Sequence, residues 1–179
     1  MNPALSPVIF SQLMNGVLIN AHELDNGSLV NNRLFDEIFS NLEAYQAQYA
    51  LLGYELVMIG GCYFIREQGE IDHFRDVSMR IQVLLEVISR QVTEIPLHAT
   101  TLLEHGSGVP RNALLDMGGK EEVAEILRAC DMKNTLIQEV DNILVGRQIA
   151  YWNHRDSLVL TDGGKELFDR LYSGDSLAP

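Results

Sequence analysis

Twice along this chain a helix-patterned stretch ends at a glycine and passes directly into two short strand-patterned runs joined by a tight turn. The first instance closes on "LLGYELVMIGGCYFIRE" and the second on "VGRQIAYWNHRDSLVLT". Glycine ends a helix readily because it enters left-handed backbone without steric cost. A strand reached so soon after a helix, and followed by a second strand after a tight turn, pairs with it as an antiparallel hairpin. The chain must therefore fold as helices finished by a two-stranded ribbon, and do so twice.

The residues upstream of each hairpin supply those helices. Pro7 to Ile19 is an apolar helix candidate, and "HELDNGSLVNN" is a turn-rich segment around Asn26-Gly27. Leu34, Phe35, Ile38, Phe39, Leu42, Tyr45, Tyr49 and Leu52 recur at spacings of three and four, which predicts one long helix from Arg33, capped by Gly53. Tyr54 to Ile59 and Cys62 to Arg66 are rich in strand formers, with Gly60-Gly61 as the turn. The spacing of Val77, Ile81, Leu84, Leu85, Ile88 and Val92 predicts a helix from Asp72, its N-cap, to Thr93, stopped by Pro96. "EHGSGVP", residues 104–110, reads as a loop. Helices follow from Pro110 to Met117, from Lys120 to Cys130 and from Lys133 to Val145, the last capped by Gly146. After the hairpin Gln148 to Thr161, a helix with Thr161 as N-cap closes the fold, and the tail from Ser173 reads as loose.

Helices followed by a hairpin is the order of a winged helix. The expected fold is thus mainly α with short β-hairpins (α+β), as tandem winged-helix domains. Residues 1–71 form the N-terminal winged-helix domain, and 72–179 a linking helix and the C-terminal winged-helix domain.

A winged helix sets its third helix in the DNA major groove and its wing on the backbone, so charge decides what each unit can do. The chain has 13 Lys and Arg against 25 Asp and Glu, a formal charge of −12, which argues against a free-standing nucleic-acid binder. The first unit's third helix offers Arg33 against Asp36, Glu37 and Glu43. The second unit offers Lys133, with Asn134, Thr135 and Gln138, on its third helix, and Arg147, Gln148, His154 and Arg155 on its wing. Lys133, Arg147, His154 and Arg155 are the candidate contacts to the DNA backbone, expected to bind weakly alone and more effectively in context. Trp152 reads as an anchor between wing and helix.

No constellation points to catalysis. "HGSG" around Ser107 lacks the spacing of a nucleophile elbow, and "GGKE" at Gly118 and at Gly163 lacks the rest of a P-loop. The histidines at 22, 73, 98, 105 and 154 have neither helical i, i+4 spacing nor a neighbouring cysteine, so no metal is expected. Cys62 and Cys130 read as core thiols. No cofactor is implied and the chain reads as a non-enzyme. There is no Lys or Arg in the first thirty residues and no apolar run of membrane-spanning length, so a cytoplasmic protein without membrane contact is expected. The aliphatic content of Pro7 to Ile19 and of the 72–93 helix predicts an interface, and with it a homodimer.

Particular residues suggest a family. "HELDNGSLVNNRLFDEIFSNLEAYQAQYALLGYELVMIGGCYFIRE", the helix after Asp72, the closing wing "GRQIAYWNHRDSLVLT" and its helix "GGKELFDRL" together resemble MukE and its shorter MksE-like relatives. The resemblance implies a dimeric, non-catalytic condensin subunit built from tandem winged helices. Its partners would be a MukF/MksF-like kleisin and, through the kleisin, a MukB/MksB-like SMC-type ATPase. The role would be chromosome condensation and segregation on the nucleoid, or defence against plasmids. The residues themselves also leave open a dimeric winged-helix transcription regulator.

Overall fold

A computed structural model describes residues 1–69, 74–94 and 99–173. The expected N-cap Asp72, His73, Pro96, His98 and the tail 174–179 lie outside them.

Helix α1 (Ser6–Met14) leads through a left-handed Gly16 (φ 68°) to β1 (Ile19–Asn20). The apolar segment thus ends sooner than its composition predicts. "HELDNGSLVNN" is more than a turn: it forms a hairpin of β2 (His22–Asp25) and β3 (Ser28–Asn31). The expected long helix from Arg33 is two helices, α2 (Arg33–Ser40) and α3 (Leu42–Leu51). They part at Asn41 (φ −130°, ψ 31°), whose amide donates to the Glu37 carbonyl and whose Oδ1 accepts from the chain's first amino group. The break leaves Ile38, Tyr45 and Tyr49 inside, so periodicity does not reveal it, but Phe39 is turned outward. Gly53 (φ 81°) closes α3 in the left-handed conformation, and β4 (Tyr54–Ile59) pairs with β5 (Cys62–Glu67) across Gly60-Gly61. β1 pairs with the far side of β5, so the sheet order is β1-β5-β4.

The second half repeats this connectivity. Helix α4 (Phe74–Glu94) and a 3-10 turn (Ala99–Leu103) precede β6 (Val109–Pro110), which breaks the region read as loop. Then come α5 (Arg111–Gly118), α6 (Glu121–Ala129) and a third helical segment. That segment begins at Leu136 rather than Lys133. It is a single α turn, α7 (Leu136–Glu139), continued by a π-helix from Val140 to Val145. Gly146 closes it in right-handed backbone, donating to the Asp141 carbonyl at 2.9 Å, and a Cβ there would lie 2.6 Å from the Asn142 carbonyl oxygen. Its glycine serves close approach, not a left-handed cap. β7 (Ala150–Trp152) and β8 (Ser157–Leu160) form the hairpin and β6 joins β8, giving the order β6-β8-β7. Helix α8 (Asp162–Ser173) starts with its Gly164 amide on the Thr161 hydroxyl, as expected.

Each half has its own apolar cluster. One gathers Ile9, Leu13, Ile19, Ile38, Tyr45, Tyr49, Leu56, Tyr63 and Ile65. The other runs from Leu84 to Phe168. α4 spends its aliphatic stripe here: Leu84, Leu85, Val87, Ile88 and Val92 are all buried in that second cluster. Most of the expected surplus on this helix is therefore absorbed within the chain, with Met79 left exposed. α1 keeps part of its own, with Val8, Phe10 and Met14 exposed.

Candidate functional site

The β7–β8 hairpin, the expected second wing, is built from its turn outward. Asn153 is buried and bonds in four directions. Its amide nitrogen donates to the carbonyls of His105 (3.2 Å) and Ser107 (3.0 Å), while its Oδ1 accepts from the Arg155 and Ser157 amides (2.9 and 3.1 Å). Asp156 completes the turn in left-handed backbone (φ 53°). The "EHGSG" loop is thereby clasped to the hairpin. His105 and the Tyr151 hydroxyl add a side-chain hydrogen bond at 2.5 Å. Burial, and then the negative charge of Asp162, push the Tyr151 hydroxyl up to about 12.

At the root of the wing, the Trp152 indole donates to Asp141 of the π-helix at 2.8 Å, which makes it the anchor the sequence suggested. The Arg111 guanidinium lies 3.8 Å from the centre of the Trp152 ring, and its Nε donates to both Asp156 carboxylate oxygens (2.8 and 3.0 Å). Arg111 is thus held by Asp156 and, at 3.7 Å, by Asp141. The sequence offered no signal for this cluster, because Arg111 lies 45 positions from Asp156.

The four candidate DNA contacts fall in three places. Lys133, its side chain 84% exposed, precedes α7 with Asp131 3.7 Å away. His154 and Arg155 are exposed on the wing turn, where one Arg155 nitrogen donates to the Gly106 carbonyl at 3.2 Å. Arg147 is at the wing's base and points into the other half of the chain, donating to the carbonyls of Asn15 (3.4 Å) and Gly16 (3.2 Å). His154 and Arg155 therefore share one tip, and the other two stand apart.

Arg147 belongs to a polar seam between the halves, which sequence reasoning missed. The Leu18 amide donates to the Arg147 carbonyl at 3.0 Å. Asn20, 2% exposed, donates to the Gln148 carbonyl (2.9 Å) and accepts from the Gly163 amide (2.8 Å). His22 meets Asp162 with its ring Nδ1 (2.9 Å) and its backbone N–H (3.1 Å). Beside the seam is a cleft of about 440 Å³, lined among others by Leu24, Leu29, Asn32, Gln148 and Lys165. Cys62 packs under Gly163, and burial, then the charges of Asp162 and Glu166, push its thiol up to about 12. It stays protonated at neutral pH and is no nucleophile. Among the described residues no group of three or more His, Cys, Asp or Glu is placed to hold a metal, and no helix is long and apolar enough to cross a membrane.

Residues 4–145 match the model of a protein family described as condensin complex protein MksE. The chain belongs to the MksE family. The match runs through both apolar clusters and stops where the second wing begins, so Lys133 lies inside it and Arg147, His154 and Arg155 beyond it. No curated protein matches the chain. Membership makes the chain a condensin-associated subunit, part of a multi-subunit assembly that acts on chromosomes.

Proposed function

We propose that this protein is the non-catalytic, tandem winged-helix subunit of a bacterial condensin-like complex of the MukBEF/MksBEF type, in which it binds the kleisin and helps organise DNA for chromosome condensation and segregation. The family match across residues 4–145 carries the reading. The connectivity supports it: both halves run helix, short strand, helices, hairpin, and both sheets place the first strand beside the last. That order, together with one apolar cluster per half, supports two winged-helix domains dividing near residues 71 and 72.

Kleisin binding is the main task and DNA contact is secondary. The first unit's third helix, α3, exposes Glu43, Ala44, Gln46, Ala47 and Gln48 and has no basic residue to meet phosphate. In the second unit Lys133, His154 and Arg155 meet the DNA backbone; Arg147, already donating to two carbonyls, contributes least. Two copies associate through the charge-free α1, whose exposed Phe10 stacks on Tyr49 of α3 (centroids 6.4 Å apart). The protein resides in the cytoplasm, on the nucleoid.

Affinity purification of the tagged protein from its native cell tests this. Stoichiometric co-elution of a kleisin and a large SMC-type ATPase is the expected result. Isolation without either, with tight sequence-specific binding to a short duplex, would replace the reading with the transcription regulator. A Lys133→Glu, Arg155→Glu variant should keep its kleisin and reduce DNA retention by the complex.

A further inference from the structure

The β2–β3 hairpin is dispensable to either core: every residue of both strands is exposed, and none joins an apolar cluster. It is nevertheless held in place. The His22 amide and ring are fastened to Asp162, and at the tip a Cβ on Gly27 would lie 3.8 Å from the Cβ of His154.

The register tells which way each amide points. Asn26 (φ 48°) and Gly27 (φ 82°) form a two-residue turn of the mirror-image type, so Asp25 and Ser28 are a hydrogen-bonded pair. Pairs alternate along an antiparallel ladder, so Glu23 and Val30 bond as well, and Leu24–Leu29 and His22–Asn31 point their N–H and C=O groups outward. The Asn32 amide on the Ala21 carbonyl (2.8 Å) continues that alternation. On the β2 side, the outward amide of His22 is taken by Asp162. On the β3 side, the outward groups of Leu29 and Asn31 meet no backbone partner among the described residues.

Side chains at this edge are apolar. Leu29 is 40% exposed and Val30 37%, and Leu24, opposite Leu29, is 36% exposed. By register His22, Leu24 and Leu29 share one face and Glu23, Asp25 and Val30 the other, and the 440 Å³ cleft is lined by His22, Glu23, Leu24 and Leu29. Soluble proteins blunt such an edge with a charge, a proline or a covering segment. The strand "SLVN" has neither charge nor proline.

We propose that β3 is the docking edge for an extended segment of a partner chain, which adds as a third strand beside Leu29 to Asn31. Its side chains alternate: apolar ones on the face of Leu24 and Leu29, basic ones on the face of Glu23 and Asp25. Main-chain hydrogen bonds hold the segment and the alternation selects it. Charge decides against a second copy of this chain as the occupant, because its hairpin repeats Glu23 and Asp25 and has no Lys or Arg. The proposal rests on the hairpin and does not require the partner to be a kleisin.

Amide exchange on the full chain tests it, with a peptide of about eight alternating valines and lysines as the probe. At saturation the Leu29 and Asn31 amides should exchange at least ~10-fold more slowly, and binding should weaken as salt rises. The same peptide with glutamate for lysine, or methylated on the amides that would face β3, should give no protection. Three results would overturn the proposal: no protection by the lysine peptide, equal binding by the methylated one, or protection of Leu29 in the protein alone that grows with its concentration. The last would make a second copy the occupant.

Discussion

Changing Asn20 to Ala should loosen the two halves of the chain from one another. The side chain is 2% exposed, and from the first half of the chain it bonds to both the base of the second hairpin and the start of α8. The two ends of the amide are not equivalent. The Gln148 carbonyl keeps a second donor, the Thr161 hydroxyl at 2.7 Å, so losing Asn20 costs it little. The Gly163 amide is buried and has Asn20 as its acceptor, so the alanine leaves it without a partner unless water enters. A buried, unsatisfied donor costs about 1–3 kcal/mol, so we expect a loss of about 2 kcal/mol. For a chain of this size that lowers Tm by about 4–8 °C. Asn20→Asp should be worse, because it keeps the acceptor but buries a charge near Asp162.

Urea unfolding followed by circular dichroism and by Trp152 fluorescence measures the effect; Trp152 is the single tryptophan and sits in the second half. The wild type should give one coincident transition with both probes, since the seam couples the halves. In Asn20→Ala the two probes should separate, and the Gly163 amide should exchange faster. A loss under ~0.5 kcal/mol with coincident transitions would mean the seam does not couple the units, and that their apolar contacts do so alone.

Gly163→Ala should destabilise by about 1–3 kcal/mol, because the new Cβ would lie 2.6 Å from the Cys62 sulfur; adding Cys62→Ala should recover part of the loss in the same unfolding assay. Stability should fall in alkali. The Cys62 thiol is pushed from 9.0 to about 12, and the Tyr49 and Tyr151 hydroxyls from 10.0 to about 12, so the folded protein holds these protons longer than the unfolded chain; the stabilisation is complete below pH 9 and is lost between there and about 12, as denaturation midpoints against pH will show. Lys133 and Arg155 amount to about two phosphate contacts, so the logarithm of random-duplex affinity should fall with log salt at a slope near −2; a slope steeper than about −4 would reveal a DNA surface other than the second wing.

The elements of this fold were legible where apolar spacing alone decides them. Tyr45 and Tyr49 on α3, Leu84 to Val92 on α4 and the two hairpins follow from periods of about 3.6 and 2. The break at Asn41 was not, because the residues on either side keep their inward stripe across it. The π-helix from Val140 was not, because it preserves the same inward residues with one more per turn. β2 and β3 hid behind the strength of the Asn26-Gly27 turn signal, and β6 behind its length of two residues. Of the candidate site, charge and position single out Lys133, His154 and Arg155, and the structure leaves all three exposed. Arg147 was legible as a cation and illegible as a clamp, because its acceptors, the Asn15 and Gly16 carbonyls, lie more than 130 positions away and are backbone groups that any residue could supply.

The same geometry bears on why an acidic chain should keep a wing with basic residues at all. Near the wing, Arg111 faces two carboxylates, Asp141 and Asp156, and Arg147 is turned into the seam. Each arrangement commits a guanidinium to the fold and removes it from any outside anion. What remains exposed is a tip with His154 and Arg155, stiffened from below by Asn153, and Lys133 ahead of α7. A tip with so few exposed cations, Arg155 itself donating to the Gly106 carbonyl, has little affinity of its own, but it loses little conformational entropy when something else brings a duplex against it. Within an assembly that already confines DNA, effective concentration replaces intrinsic affinity, and a weak, stiff contact suffices. The net charge of −12 acts in the same direction, since it repels phosphate from the free chain. In the proposed role, acidity and a basic hairpin tip are therefore compatible: one would oppose contact outside the complex, and the other would permit it inside.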